Sequence, residues 1–255
     1  MTGLITPHWT APARIRASMS TRASGVSAGA YASMNLGYAT ADNREHVKEN
    51  ERRIALEMGI DCSDIRWVYQ VHGNVAHHAE NLPVNHPLGA THIQGDAIVS
   101  HTPGLVCGVK IADCMPVLFA SVDGDVVAAA HAGWRGLSSG VLENTIAACS
   151  VVPEKLNAWC GPCIGPLQFE VGEEVRDTFV ASDAVAAKAF VSGKTPCKFL
   201  CDLPMLAMQR LQRAGVTRIA MSHRCTVSEP DVFFSHRRDK VSGRMAAFVW
   251  IEKSI

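Results

Sequence analysis

The chain has 255 residues, 47% of them apolar and 19% charged, with 24 Lys plus Arg balanced by 24 Asp plus Glu. That is enough chain to bury a full core, and a zero net charge offers no electrostatic attraction to nucleic acid or to an anionic membrane surface. No run of about 18 apolar residues marks a membrane helix, and MTGLITPHWTAPARIRASMS lacks an apolar signal core, so the expected location is the cytosol. The nine cysteines are odd in number and spread along a chain too large to need staples, which favours reduced thiols.

No linker, composition shift or repeat divides the sequence, so a single domain over 1–255 is expected. Residues 20–39 are rich in Ser, Gly and Ala without periodicity and read as an ordered loop. Asp42 and Glu45 resemble a capping box. Val47, Ile54 and Met58 share one helical face, and Gly59 ends it, predicting a helix over 43–58. Trp67 to Val71 alternates as a strand and delivers Gln70, His72 and Gly73 at its end. Gly95-Asp96 opens another strand, and a third runs from Leu105 to Ile111.

The stretch IADCMPVLFASVDGDVVAAAHAGWRG, residues 111–136, carries the strongest local signal. Asp123-Gly124 between two apolar runs predicts a two-residue β-hairpin. That register sets Pro116 opposite His131 and Cys114 opposite Gly133, all on one face of the sheet. Cys114 and His131 become diagonal neighbours, roughly 7–8 Å apart at Cα and within reach of one metal ion. The same pair also fits a buried core thiol and a satisfied core histidine. Pro116 cannot donate to a ladder and marks a possible bulge.

Val141, Leu142, Thr145, Ile146 and Cys149 follow helical spacing behind Ser138 or Ser139 as N-cap. Arg135 and this helix start form a candidate phosphate seat, with a simple glycine turn and a solvated arginine as the alternative. Downstream come a strand over Asn157–Cys160, a helix over Glu170–Ala181 and a helix from Asp202 to Ala214 stopped by Gly215. A strand over Val216–Ser222, a loop over 233–239 and a strand over Met245–Ile251 follow. The mixture predicts an α+β or mixed α/β sheet protein.

Three motifs compete for attention. Trp159-Cys160-Gly161-Pro162-Cys163 copies the thioredoxin active-site string, but Gly165 and Pro166 deny it the activating helix. Cys160, Cys163, Cys197 and Cys201 are a conceivable four-thiolate zinc site. His78-Ala79-Glu80 matches half of a nucleobase deaminase motif whose other half is missing.

Long strings throughout the chain resemble the YfiH-like family, also called the laccase-domain or polyphenol-oxidase family and known as purine nucleoside phosphorylases. They include STR and the SG-VS loop at 20–27, MNLG at 34–37, QVHG at 70–73, GDAIVS at 95–100, ADCMPVLF at 112–119 and AAAHAGWRG at 128–136. GPCIGPLQFEVGEEV at 161–175 and FFSHRRDKVSGRMAAFVW at 233–250 complete the set. The resemblance implies one domain of mixed β-sheets packed in two layers with flanking helices, an α/β/β/α sandwich. It implies a catalytic zinc ion, rather than copper, held by His72, Cys114 and His131 with the fourth position open to substrate.

The activity implied is phosphorolysis of adenosine, inosine and S-methyl-5'-thioadenosine, with adenosine deamination alongside. Purine nucleoside and phosphate are then the partners, with no nucleic acid or membrane. Candidate substrate residues are Arg135, Asn35, Gln70, Asp113 and Arg238. The family commonly has Asn-Arg in its first helix where this chain has Asn50-Glu51, so a phosphate role for that arginine passes to Arg52 or is lost. A copper oxidase of phenols and cytosolic editing of peptidoglycan precursors, with Cys114 as nucleophile, are the rival activities.

Overall fold

The structure is a computed structural model that describes residues 3–84 and 92–253. In chain order its elements are strands β1 (Leu4–Ile5) and β2 (Ile15–Ser20), helix α1 (Arg44–Met58), and strands β3 (Ile65–Arg66), β4 (Ala76–His78), β5 (Ala97–Ser100), β6 (Val106–Ile111), β7 (Met115–Ser121) and β8 (Val127–Ala132). Helices α2 (Trp134–Ser138) and α3 (Val141–Ala148), strands β9 (Leu156–Cys160) and β10 (Glu170–Gly172), and helix α4 (Glu173–Ser182) come next. Strands β11 (Phe190–Ser192) and β12 (Lys198–Cys201), helix α5 (Leu203–Arg213), strand β13 (Arg218–Met221), helix α6 (His236–Asp239) and strand β14 (Met245–Ile251) complete the chain.

Two sheets face each other. One has the order β1-β2-β14-β6-β3, the other β13-β9-β7-β8-β5-β4, and a small third sheet runs β10-β12-β11. Period-two alternation along β6, β7, β8 and β14 sorts their side chains into two cores each. Val109, Ile111, Ala247 and Val249 of the first sheet meet Leu118, Ala120, Val127 and Ala129 of the second in a shared interior. On the outer face of the six-stranded sheet, Val117, Phe119 and Ala130 pack on Leu142 and Ile146 of α3, Phe179 of α4 and Leu206 of α5. On the outer face of the five-stranded sheet, Phe248 and Ala246 pack on Ile54 and Ala55 of α1. The layers are therefore helix, sheet, sheet, helix, within a single α+β domain, as expected. Each fully buried Phe or Leu in these interiors contributes about 2 kcal/mol of transfer free energy.

The central hairpin keeps the expected register, with Met115 opposite Ala132 and Pro116 opposite His131. Its turn is longer than the predicted two-residue loop. Ser121 N–H donates to the Val126 carbonyl, and the Ser121 hydroxyl both donates to Asp125 and accepts from the Asp125 and Val126 amides. The side chain closes what an Asp-Gly turn alone would have closed. Pro116 disturbs nothing: its carbonyl accepts from Gly161 N–H, which turns its nitrogen toward the β9 side, beyond the last paired residues of that strand.

Several boundaries shift. The α1 cap is Asn43, whose side chain accepts from Glu45 N–H, because Asp42 is occupied by the Ser27 hydroxyl and the Asn35 amide. Asn50 of α1 bonds Val26, Ser27, Ser33 and Asn35 and so orders the 20–39 loop. Trp67–Val71 is not a strand; only a single bridge joins Tyr69 to Gln94. The helix predicted behind Ser138 or Ser139 is two helices: α2 starts at Trp134, both serines donate back to carbonyls inside it, and Gly140 in the left-handed region caps α3. Glu170 to Gly172 is strand rather than helix, and 236–239 is a short helix rather than loop.

Candidate metal centre and cavity

The site grows from the ends of the hairpin. Cys114 enters β7, His131 nears the end of β8, and Gly133 follows at the N-cap of α2. The loop after β3 brings His72 beside them. The side-chain donor atoms of His72, Cys114 and His131 lie within 4.8 Å of one another, and the two imidazoles meet edge to face with centroids 4.8 Å apart. Among the described residues this is the one cluster of three or more metal-ligating side chains. Gly133 has to be glycine, because a Cβ there would sit 2.8 Å from Cys114 Sγ and 3.1 Å from His72 Cδ2.

Asp96, which has no accessible surface, ties the site together. Its Oδ1 lies 2.8 Å from His131 Nδ1 and accepts His72 N–H at 3.0 Å. Its Oδ2 accepts Gly73 N–H at 2.6 Å and Val71 N–H at 3.2 Å. A carboxylate only accepts, so His131 carries its proton on Nδ1 and presents Nε2 to the cluster. Burial pushes the Asp96 carboxyl up, but the His131 hydrogen bond and charge outweigh this and hold it below its ordinary range. His72 at φ 61° and Asp113 at φ 90° both take the left-handed region, so the chain is strained on either side of the site. Sequence reading missed Asp96; its place within GDAIVS, directly before a strand, was the available signal.

The donor set fits a borderline-soft divalent ion: two imidazoles, one thiolate and an open fourth position. Burial pushes the Cys114 thiol up, but the His131 and His72 rings more than offset it and bring it down to about 6. Burial pushes His131 down, while the Cys114 sulfur and the Asp96 carboxylate raise it to about 9. Without metal the two therefore form a thiolate–imidazolium pair. The lowered Cys114 value contributes stability that is present above the ordinary thiol value of 9.0 and lost as pH falls through about 6. The raised His131 value contributes stability that is present below 6.5 and lost as pH rises through about 9. Between about pH 6 and about pH 9 one contribution grows as the other fades, so thermal melts of chelator-treated protein are expected to vary little with pH across that window; a Cys114→Ser variant lacks the thiol contribution and should no longer show this cancellation.

The cluster opens into a cavity of about 980 Å³. Gln70, Asp113 and Arg135 line it with the three ligating residues. Gln70 is also spent on the backbone, bonding both the carbonyl and N–H of Lys110. Asp113 accepts from the Thr226 hydroxyl and Arg237 N–H. The exposed Arg135 guanidinium lies 4.4 Å over the Trp134 ring. The other predicted substrate residues stand outside the cavity. Asn35 is fully buried, holding Thr40, Asp42, Gly37 and Arg244. Arg52 is exposed and paired with Glu49. Arg238 bonds the Thr226, Val227 and Phe233 carbonyls and Asp239. Cations that the sequence reading did not single out line the cavity instead: Lys110, Arg237, Lys240 and Arg244.

The competing motifs do not form sites among the described residues. Cys160 ends β9 and its thiol is pushed up to about 12 by burial; Cys163 is also raised by burial, so neither is an activated thiol. Cys197 is exposed, while Cys160, Cys163 and Cys201 are buried, and the four do not form a ligand cluster. None of the nine cysteines forms a disulfide among the described residues. Glu80 accepts from Ser100, His101 and Thr102, a structural role. No described helix is long and apolar enough to cross a membrane.

The family model described as multi-copper polyphenol oxidoreductase laccase matches residues 16–252. Purine nucleoside phosphorylase YfiH of Escherichia coli K12 is 46% identical over 98% of this chain and 100% of its own length. A purine nucleoside phosphorylase of Pseudomonas aeruginosa is 43% identical over 99% of this chain and 100% of its own. The crystal structure of a Neisseria meningitidis protein superposes with a TM-score of 0.91 at 43% identity, covering 99% of this chain and 100% of that one. YlmD from Geobacillus stearothermophilus gives 0.85 at 29% identity, covering 94% and 93%. With its fold, its motifs and its relatives in agreement over nearly the whole length, the chain belongs to the YfiH-like, laccase-domain family of purine nucleoside phosphorylases.

Proposed function

We propose that the chain is a zinc-dependent purine nucleoside phosphorylase. It converts adenosine, inosine and S-methyl-5'-thioadenosine to free purine and the matching ribose 1-phosphate, and it deaminates adenosine as a side reaction. The observation that carries this reading is the convergence of His72, Cys114 and His131 at a cavity whose wall also carries Lys110, Arg135, Arg237, Lys240 and Arg244. The names of the relatives point the same way. His72, Cys114 and His131 would hold the zinc ion, which supplies Lewis acidity and lowers the pKa of water when bound. Asp96 keeps the proton of His131 on Nδ1 and so keeps Nε2 available as a donor. Arg135 and the remaining cavity cations attract phosphate and neutralise its charge, so that it can approach the anomeric carbon of the ribose. Gln70 and Asp113 fix the cavity walls through backbone bonds.

The description of the family model favours a second reading, copper-dependent oxidation of phenols. Multicopper chemistry needs several centres, and the described residues supply one cluster of three ligands, which supports zinc. Amide hydrolysis by Cys114 is disfavoured for the same reason, because a metal-bound thiolate is a poor nucleophile.

Protein purified without added metal is incubated with inosine and with adenosine, each with and without phosphate, and the products are separated by chromatography. Hypoxanthine and adenine are expected only with phosphate, and inosine is expected from adenosine in both cases. Base release independent of phosphate, or no turnover in any arm, would sink the reading. Metal analysis of the same sample distinguishes zinc from copper.

A further inference from the structure

Lys110 is the cavity cation whose surroundings are most specific. It stands on β6, and both its backbone polar groups are held by Gln70, at 2.8 Å and 2.7 Å. Its ammonium lies 4.1 Å from the centroid of the Trp67 ring and 5.1 Å from that of Tyr38. The polar ends of these two rings converge on one buried carboxylate: Trp67 Nε1–H donates to Glu51 Oε1 and Tyr38 O–H to Glu51 Oε2, each at 2.8 Å. Glu51, 5% exposed, thereby fixes two aromatic walls and places its negative charge behind them.

This slot cannot stack a purine. One face of Trp67 is occupied by the ammonium, Phe248 meets the ring at 68°, and a Cβ on Gly108 would approach it to 2.6 Å. What the slot presents to the cavity is the ammonium itself. Among the described residues Lys110 Nζ makes no hydrogen bond or ion pair, so its three donors are open to the cavity it lines. Burial pushes its pKa down to about 8 against the opposing pull of Glu51, the mark of a cation short of compensating negative charge. The neighbouring cavity cations are partly committed, Arg237 to the Glu170 carbonyl and Arg244 to the Ser242 and Gly243 carbonyls. Asp113, the one carboxylate among the described residues of the cavity wall, is already engaged by Thr226 and Arg237.

We infer that Lys110, steadied by the Tyr38–Glu51–Trp67 frame, is the seat of a phosphoryl group in this cavity, either free inorganic phosphate or the 5'-phosphate of a purine nucleotide. This deepens the phosphorylase reading and rests on it for the reaction, but binding can be measured without turnover. Inorganic phosphate and inosine 5'-monophosphate are titrated separately by calorimetry into zinc-loaded wild type, Lys110→Met and Lys110→Arg, with neutral inosine as control. Loss of the charge-assisted contact is expected to weaken phosphate binding at least about tenfold in Lys110→Met, while Lys110→Arg stays within about threefold. Inosine should be unaffected.

Weakened phosphate binding identifies the free anion as occupant. Weakened nucleotide binding with phosphate unchanged identifies the ester. If neither ligand responds to Lys110→Met, or neither binds wild type, the inference is overturned. Lys110→Gln replaces the methionine variant if that protein does not fold. Wild type that binds phosphate through Lys110 yet releases no purine would overturn the phosphorylase reading and leave this one standing.

Discussion

Cys114→Ala and His131→Ala are each expected to abolish phosphorolysis and deamination together and to yield protein without stoichiometric zinc. Zinc sites with four ligands in small domains bind with about 10–16 kcal/mol, so one donor is worth about 3–4 kcal/mol. Its loss should weaken zinc about 10²–10³-fold. The cluster has three protein donors, so either variant leaves two, and the close packing at Gly133 leaves no room for a longer side chain to take over. Metal content after dialysis and affinity against a chromophoric chelator measure this directly. A second readout separates ligand loss from unfolding. Zinc that binds only the folded state raises its melting temperature by mass action, so a chelator should lower the melting temperature of wild type and leave the variants unmoved. Full activity in a zinc-free variant would refute the mechanism.

What the sequence disclosed about this site follows from how local the signals are. Alternating apolar runs around Asp123-Gly124 were sufficient for the register that pairs Pro116 with His131, although Ser121 closes a longer turn than expected. The strands Val106–Ile111, Leu156–Cys160 and Met245–Ile251 were legible from β-branched and apolar runs, and α1 and α5 from periodicity and caps. His72 is different. It comes from a loop in the left-handed region, reaches the hairpin through tertiary packing, and was found by family resemblance alone. The short strands β10, β11 and β12 have no alternation long enough to see; they exist because they pair with one another. The same limit separates the candidate substrate residues that line the cavity, Gln70, Asp113 and Arg135, from those that do not. Asn35 and Arg238 sit in distinctive motifs, but their side chains are consumed by backbone and neighbouring groups. Lys110 lies in an unremarkable apolar strand and faces the cavity. At position 51 the expected arginine is a glutamate pointing inward to Trp67 and Tyr38, whereas Arg52 points to solvent and binds Glu49. Charge type alone could not tell which of these neighbours was buried.

Asp96→Asn is expected to lower zinc affinity about 10–100-fold although Asp96 is not in the ligand cluster. The carboxylate has four acceptor duties: His131 Nδ1–H and the backbone N–H groups of Val71, His72 and Gly73. Asparagine has the same shape but one oxygen and one NH₂. With its oxygen toward His131 and His72, the NH₂ faces the Val71 and Gly73 amides, donor against donor, and loosens the loop that carries His72. Flipped, the NH₂ faces His131 Nδ1 and forces the ring proton onto Nε2, the nitrogen needed as donor. Neither orientation preserves both histidines, and leaving buried donors unsatisfied costs about 1–3 kcal/mol of stability in addition. The effect on zinc should exceed the effect on the melting temperature of the metal-free protein, which also distinguishes positioning from general destabilisation. Calorimetric zinc titration of Asp96→Asn beside Asp96→Ala gives the comparison. Zinc affinity within about threefold of wild type would show that His131 and the 71–73 loop are held by other means.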